Sequence, residues 1–174
     1  MQLVRTSPLE AFASNSAFIA ETPQEKRLPA SRTVHSRFGA LEINTALAIN
    51  FSQGLAGFPD DKNFCLADHP SKHLNNHFKL LQSTSNDNLC FIVMPFEHRN
   101  GTISAKDLEE ALQTSSIQEE NLLTLLLVSV HQDSDNIRRL SVNMRAPLLI
   151  DAIEKRGTQY IFNNSSYAIR HMIS

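Results

Sequence analysis

The sequence predicts a mainly β, single-domain fold, a β-roll or barrel-like body with one or two short helices. Three observations carry this. Apolar residues recur with a period of two in several short runs; in one, Leu140, Val142 and Met144 alternate with Arg139, Ser141, Asn143 and Arg145. That spacing sends alternate side chains to opposite faces of a strand. The runs are separated by clusters of Gly, Pro, Asn, Asp and Ser, which close strands and open turns. Finally, 174 residues suffice for one substantial core and would crowd two, since a chain of about 150 residues buries roughly two-thirds of its unfolded surface.

Residues 1–33 are rich in Ala, Ser and Thr, carry Pro8, Pro23 and Pro29, and hold neither period. Leu9, Phe12, Phe18 and Ile19 offer one face of a short helix from Pro8 to Ile19, and Glu21 to Arg32 reads as linker. A loosely ordered extension is expected here, with a docking helix as the alternative, ahead of a β domain over 34–174.

From Val34 the pattern changes. Leu41 and Ile43, then Leu47, Ile49 and Phe51, alternate with polar or small residues and predict two half-buried strands around Asn44-Thr45. Ser52 to Pro59 is a loop whose Gly54 and Gly57 suit a positive φ or a close backbone approach, with Leu55 and Phe58 anchoring it. It lacks the lysine and the glycine spacing of a phosphate cradle.

Asn63 to Ala67 predicts another strand. Asp68 to His77 holds His69, His73 and His77 at intervals of four, yet Pro70, Asn75 and Asn76 favour a loop of solvated histidines over a metal-binding helix face. Phe78–Ser83 and Leu89–Met94 predict a hairpin across a five-residue polar turn, its second strand buried on both faces and closed by Pro95.

Ser104 is an N-cap with Asp107 three residues on, and Leu108, Ala111 and Leu112 follow at helical spacing, which predicts a helix of about ten residues. For the leucine-rich run Leu122–Val130, a central strand over Leu125–His131 is expected, because a turn at Gln132–Asn136 leads into the alternating strand; a continuous helix from Gln118 competes. Strands at Leu148–Ile153 and Thr158–Phe162 flank a turn at Glu154–Gly157, and Tyr167–His171 is a tail lying on the fold.

The net charge of −2 gives no overall basic field of the kind that grips nucleic acid. It is unevenly spread. Residues 97–136 hold eight acidic side chains against Arg99 and Lys106, a net of −6, and residues from Ile137 onward hold six basic ones against Asp151 and Glu154, a net of +4. Such a dipolar surface steers encounter with charged partners. Cys65 and Cys90, without C-x-x-C pairing, read as buried thiols in a reducing compartment. No run of 18 apolar residues predicts a membrane span, and residues 1–20 lack the apolar core of a secretory signal, so a cytoplasmic protein is expected.

Local signatures of enzymes are absent: no H-E-x-x-H, G-x-S-x-G, Walker loop or paired C-x-x-C. His98, His131 and His171 leave open a histidine site assembled by folding. Arg138, Arg139, Arg145 and Arg156 beside Tyr160, Phe162 and Tyr167 leave open RNA contact, although Tyr160 and Phe162 share a strand face that suits a core.

Several stretches, in order, resemble the FliW family of flagellar assembly factors. They are Phe38-Gly39, Ile49-Asn50-Phe51 before Gly54-Leu55-Ala56-Gly57-Phe58, Leu81-Gln82-Ser83 with Leu89 to Pro95, and Asn143-Met144-Arg145-Ala146-Pro147 with Arg156-Gly157-Thr158-Gln159 and Tyr167 to His171. The resemblance spans roughly residues 34–171 and departs from the family pattern at Ser52, Ala56 and Lys79. It implies a small β-rich domain that binds proteins without catalysis, cofactor or metal. The implied partners are cytosolic flagellin and the small translational repressor CsrA, with no direct nucleic acid and no membrane. By mass action, unexported flagellin would occupy the FliW-type protein and leave CsrA free to silence flagellin mRNA; secretion of flagellin would reverse this.

The expected partner-binding residues are the motif's outward polar side chains, Gln82, Asn143, Arg145, Gln159 and Arg170. Each has a structural alternative: Asn143 capping a bulge, for instance, or Arg145 holding a carboxylate such as Asp151. Glu109 and Glu110 on the acidic helix form a second expected surface, since the resemblance implies basic RNA-binding faces on CsrA.

Overall fold

The computed structural model of the chain describes residues 31–98, 102–132 and 134–173. Among them are eleven strands: β1 (Ser31–Ser36), β2 (Gly39–Asn44), β3 (Ile49–Phe51), β4 (Asn63–Asp68), β5 (Lys79–Ser83), β6 (Cys90–Pro95), β7 (Leu122–Gln132), β8 (Arg138–Val142), β9 (Leu148–Asp151), β10 (Arg156–Gln159) and β11 (His171–Ile173). Two α-helices join them, α1 (Lys72–Asn75) and α2 (Ala105–Ser115).

Seven strands close into a barrel in the order β7-β6-β5-β4-β3-β10-β9, and pairing of β9 with β7 shuts the ring. Every pairing is antiparallel except that of β3 with β10, where Asn50 faces Arg156 and Phe51 faces Gly157. The length of β7 makes closure possible. Its first residues, Leu122–Leu125, pair with β9; Leu125–Leu127 pair with β6; and Val128–Gln132 leave the ring to pair with β8, which carries β11 on its other side. The β1–β2 hairpin lies outside the barrel.

Strand alternation feeds three apolar clusters. Ile49, Phe51, Phe64, Leu81, Val93, Leu123, Leu125, Leu148 and Ile150 fill the barrel interior. Leu126, Val142, Met144, Leu149, Phe162 and Tyr167 pack outside it with Ala111 of α2, and Val34, Leu41, Ile43, Cys65, Leu80 and Cys90 pack under the hairpin. This arrangement explains the leucine run. Leu123 and Leu125 point into the barrel while Leu126 points under α2, so both faces of β7 are covered and polar alternation disappears. Tertiary burial overrides helix propensity here, and the strand spans the whole of Leu122–Gln132, longer than the expected Leu125–His131.

Other expectations shift by a few residues. β1 takes in Ser31, Arg32 and Thr33, which the sequence reading placed in the extension. The candidate helix Pro8–Ile19 lies outside the described residues. Leu47 sits in a single 3-10 turn, Thr45–Leu47, capped by the Asn44 side chain, and not in a strand. β6 is less enclosed than expected: Cys90 and Val93 are buried, whereas Phe91, Ile92 and Met94 are half-buried. The alternating strand stops at Val142, leaving Met144 buried in the bend that follows. The histidine stretch holds the single turn α1.

Helix α2 starts where the N-cap placed it, with Ser104 Oγ accepting from Asp107 N at 3.1 Å. Both cysteines are free and buried, and burial pushes each thiol up to about 11.

Candidate functional site

Three polar residues of the motifs, Asn143, Arg145 and Gln159, converge on one junction where the barrel closes. Val142 ends β8, and the Asn143 side chain then accepts from the backbone N–H of Arg145 (3.1 Å) and of Ala146 (3.0 Å), turning the chain into β9. Gln159, at the end of β10, donates from Nε2 to Ala146 O (3.4 Å) and accepts at Oε1 from Ala56 N (2.8 Å). Asn143 and Gln159 therefore hold the Ala146 peptide from its two ends and tie it to the glycine loop. Arg145 is half-buried, its Nε donating to Phe162 O at 3.3 Å, and it does not hold Asp151.

Asp151 is served by Arg156 at 3.6 Å and by the backbone N–H groups of Ile153 and Glu154. The Arg156 guanidinium also donates to Ser115 O and Ser116 O, so it caps the carbonyl end of α2, where a cation is favourable. Gly157 has a steric reason: a Cβ there would stand 2.6 Å from the Phe51 ring. Gly54 has two reasons, φ of +67° and a Cβ position 2.4 Å from Phe58 O. Leu55 is buried as expected, while Phe58 is 39% exposed and meets Phe91 edge to face.

Gln82 requires correction. It is fully buried, not outward, and its Nε2 reaches the carbonyls of Ser83, Asn86, Asp87 and Leu89 at 3.1–3.3 Å, organising the β5–β6 turn. Among the five expected partner-binding residues of the motifs, Arg170 is the one that stands exposed. Backbone bonds Phe162 N to Arg145 O (2.9 Å) and Met144 N to Ala168 O (3.0 Å) bring Ile161 and Ile169 to either side of this junction. Both isoleucines are more than half exposed, as is Met172 on β11. Sequence reasoning missed this apolar fringe, because Ile161, Ile169 and Met172 are isolated in the chain and carry no shared periodic signal.

On the other flank, Glu109 and Glu110 are exposed on α2, as are Glu119 and Glu120 beyond it. A groove of about 720 Å³ runs along α2, floored by Leu108, Leu112 and Ile117 and edged by Glu109 and Glu119. The tail is pinned to the start of this helix. Tyr167 Oη donates to Asp107 Oδ2 at 2.5 Å and Asn164 Nδ2 donates to the same oxygen at 3.1 Å, and these bonds, Tyr167's first, lower the Asp107 pKa.

Among the described residues, His98 and His131 form no catalytic arrangement of the Ser-His-Asp kind, and His171 stands exposed on β11. His98 Nε2 bonds Thr124 Oγ1 at 2.7 Å, but Thr124 is buried and His98 Nδ1 has no hydrogen-bond partner among the described residues, so no carboxylate orients the ring. Burial lowers the His98 pKa, with Glu119 opposing. His131 Nε2 bonds Ser141 Oγ at 2.6 Å, and that serine is buried too. Phe162 is core and packs edge to face with half-buried Tyr160, so the two rings offer no open stacking face. Among the described residues no group of three His, Cys, Asp or Glu side chains is placed to hold a metal ion, and no helix is long and apolar enough to cross a membrane.

What these elements define is a small closed β-barrel with a filled interior, with Asn143 and Gln159 bound at the corner where the ring closes. The model of the FliW protein family matches residues 32–173, and the chain belongs to that family. Similar relatives are the flagellar assembly factors FliW of Thermoanaerobacter pseudethanolicus (30% identical, covering 78% of this chain and 88% of the relative) and of Syntrophomonas wolfei (32%, covering 82% and 88%). A crystal structure of the flagellar assembly factor FliW superposes with a TM-score of 0.62 at 24% identity, over 81% of this chain and 96% of that one, and shares the fold.

Proposed function

We propose that this chain is a cytoplasmic flagellar assembly factor that acts by binding proteins and not by catalysis, taking flagellin as one partner and a CsrA-type translational regulator as the other. The observation that carries the reading is membership of the FliW family across residues 32–173. The distribution of side chains supports it: the barrel is packed solid, His98 and His131 are tied to buried hydroxyls, and what faces solvent is a split of charge. The acidic groove along α2 suits a basic partner face such as that of a CsrA-type regulator. The Arg170 side, fringed by Ile161 and Ile169, suits an apolar segment of flagellin. Occupancy of one partner would then control release of the other by mass action.

Calorimetric titration of the purified chain with flagellin and with the CsrA-type protein of the same organism tests this. Binding to at least one is expected; absence of heat and of complex with both defeats the proposal.

A further inference from the structure

We propose that the open edge of β7 is a strand-addition site, and that its occupant is the chain's own segment Phe18–Glu21. The β6–β7 ladder ends at the pair Val93–Leu127, while β7 runs on to Gln132 paired only with β8 among the described residues. Asn143 N donates to Leu127 O, so Leu127, Ser129 and His131 turn their backbone groups toward β8, and the alternation of an antiparallel ladder turns those of Val130 to the opposite, unpaired side. That side is a groove of about 480 Å³, walled by Ile92 of the barrel, by Val128 and Val130 where β7 has left the ring, and by Arg37 and Phe38 at the turn of the β1–β2 hairpin. An unpaired edge beside apolar walls is what an extended peptide uses, its main chain supplying hydrogen bonds and its alternate side chains filling the groove.

The occupant follows from chemistry and reach. As an added strand Phe18-Ile19-Ala20-Glu21 puts Ile19 and Glu21 on one face, an apolar side chain for Ile92 and Val130 and a carboxylate for Arg37, whose guanidinium is exposed and lies 4.8 Å over the Phe38 ring, and puts Phe18 on the other face. The segment joins the fold at Ser31, the start of the strand whose far end carries Arg37 and Phe38. That strand is about 17 Å long, and the chain between Glu21 and Ser31 spans up to about 33 Å, so the segment reaches the groove. Tethering supplies an effective concentration on the order of millimolar, which favours it over a free peptide. Residues 18–21 lie outside the family match at 32–173, so this occupancy would be a device of this chain on a shared barrel.

Amide exchange followed by NMR on the full chain tests the assignment, with the Leu126 amide inside the barrel as the reference for folding. In the unmodified chain Val130 N–H is expected to be protected independently of protein concentration. Phe18→Asp with Ile19→Asp should raise its exchange at least tenfold while Leu126 is unchanged. Arg37→Glu should raise it as well, and adding Glu21→Arg should restore protection. Val130 exchange that is already fast, or that ignores the Phe18 and Ile19 changes, overturns the proposal. Protection that grows with protein concentration also overturns it, in favour of a second copy on the same edge.

Discussion

The junction from Asn143 to Gln159 and helix α2 both display polar side chains at regular intervals, and they use them in opposite ways. At the junction, Asn143 and Gln159 are bound to backbone groups of Arg145, Ala146 and Ala56, and Arg156 is bound to the carbonyl end of α2. On α2, Glu109 and Glu110 are exposed, with Gln113 Nε2 donating to Glu109 at 3.4 Å. A closed barrel must satisfy the backbone groups at each corner where a strand leaves the ring, and side chains do this where no ladder can. The difference teaches that the polar residues from Asn143 to Gln159 describe how the ring is shut, and the partner surfaces proposed above draw on side chains outside that stretch.

That contrast breaks first, if it is wrong, at Gly54. Gly54→Ala places a Cβ against Phe58 O and Pro59 backbone, neither able to move aside as a flexible side chain would, in a left-handed conformation. A loss of about 3 kcal/mol is expected from overpacking and backbone strain together. For a chain of this size that is roughly 10 °C in Tm. Gly57→Ala, also at positive φ but with no atom within 4 Å of its Cβ, should lose only about 1 kcal/mol. Equal losses would show that conformation alone sets the need for glycine in this loop.

A smaller effect tests whether Asn143 and Gln159 act as one lock. Each change to Ala removes bonds to backbone groups and should cost about 1 kcal/mol in urea denaturation. Because both hold the Ala146 peptide, the double variant should depart from additivity by at least about 0.5 kcal/mol. Simple additivity would mean that the two side chains stabilise separate corners.

How much of this was readable beforehand follows from where each signal is local. The Ser104 cap and the glycine loop are written within a few residues, and the structure has them; the strand at Leu140–Val142 is present too, but its burial does not alternate, because Ser141 is buried against His131 while Leu140 is half-buried. Gln82 was misread as outward because a polar residue between Leu81 and Ser83 looks like the wet face of a strand; its burial depends on the β5–β6 turn folding back to offer four carbonyls. Arg145 was open to pairing with Asp151 in sequence, but Arg156 occupies that position through strand pairing with β9. Gly157, expected in the turn Glu154–Gly157, lies inside β10, where glycine marks close approach, and nothing local named Phe51 as the neighbour.

Between frame and surface stands His98, held neutral by burial. Its pKa is lowered from 6.5 in the fold, so the unfolded chain binds the proton more readily. The stability that its burial permits is present above about pH 6.5 and is lost as pH falls through that value toward the folded pKa. Thermal melts at pH 7.5 and 5.5 should therefore show a fall in Tm that shrinks in His98→Asn. An undiminished fall would place the acid sensitivity elsewhere.

The smallest expected effect on stability is the most informative about function. Glu109→Lys with Glu110→Lys, and separately Arg170→Glu, change exposed side chains and should each move stability by no more than about 0.5 kcal/mol. If the acidic groove meets a basic partner, the double change on α2 should weaken the CsrA-type protein at least tenfold and leave flagellin within threefold, with the loss diminishing as salt screens the wild-type attraction. Arg170→Glu should show the reverse preference. Arg145→Ala separates frame from surface in the same assay. Its guanidinium is tied to Phe162 O, so it should lower stability before it lowers affinity, and weakened binding with an unchanged Tm would move Arg145 from the frame to the interface. Should both surface variants weaken both partners equally, the two faces would have to be one site, and the division drawn between them would fail.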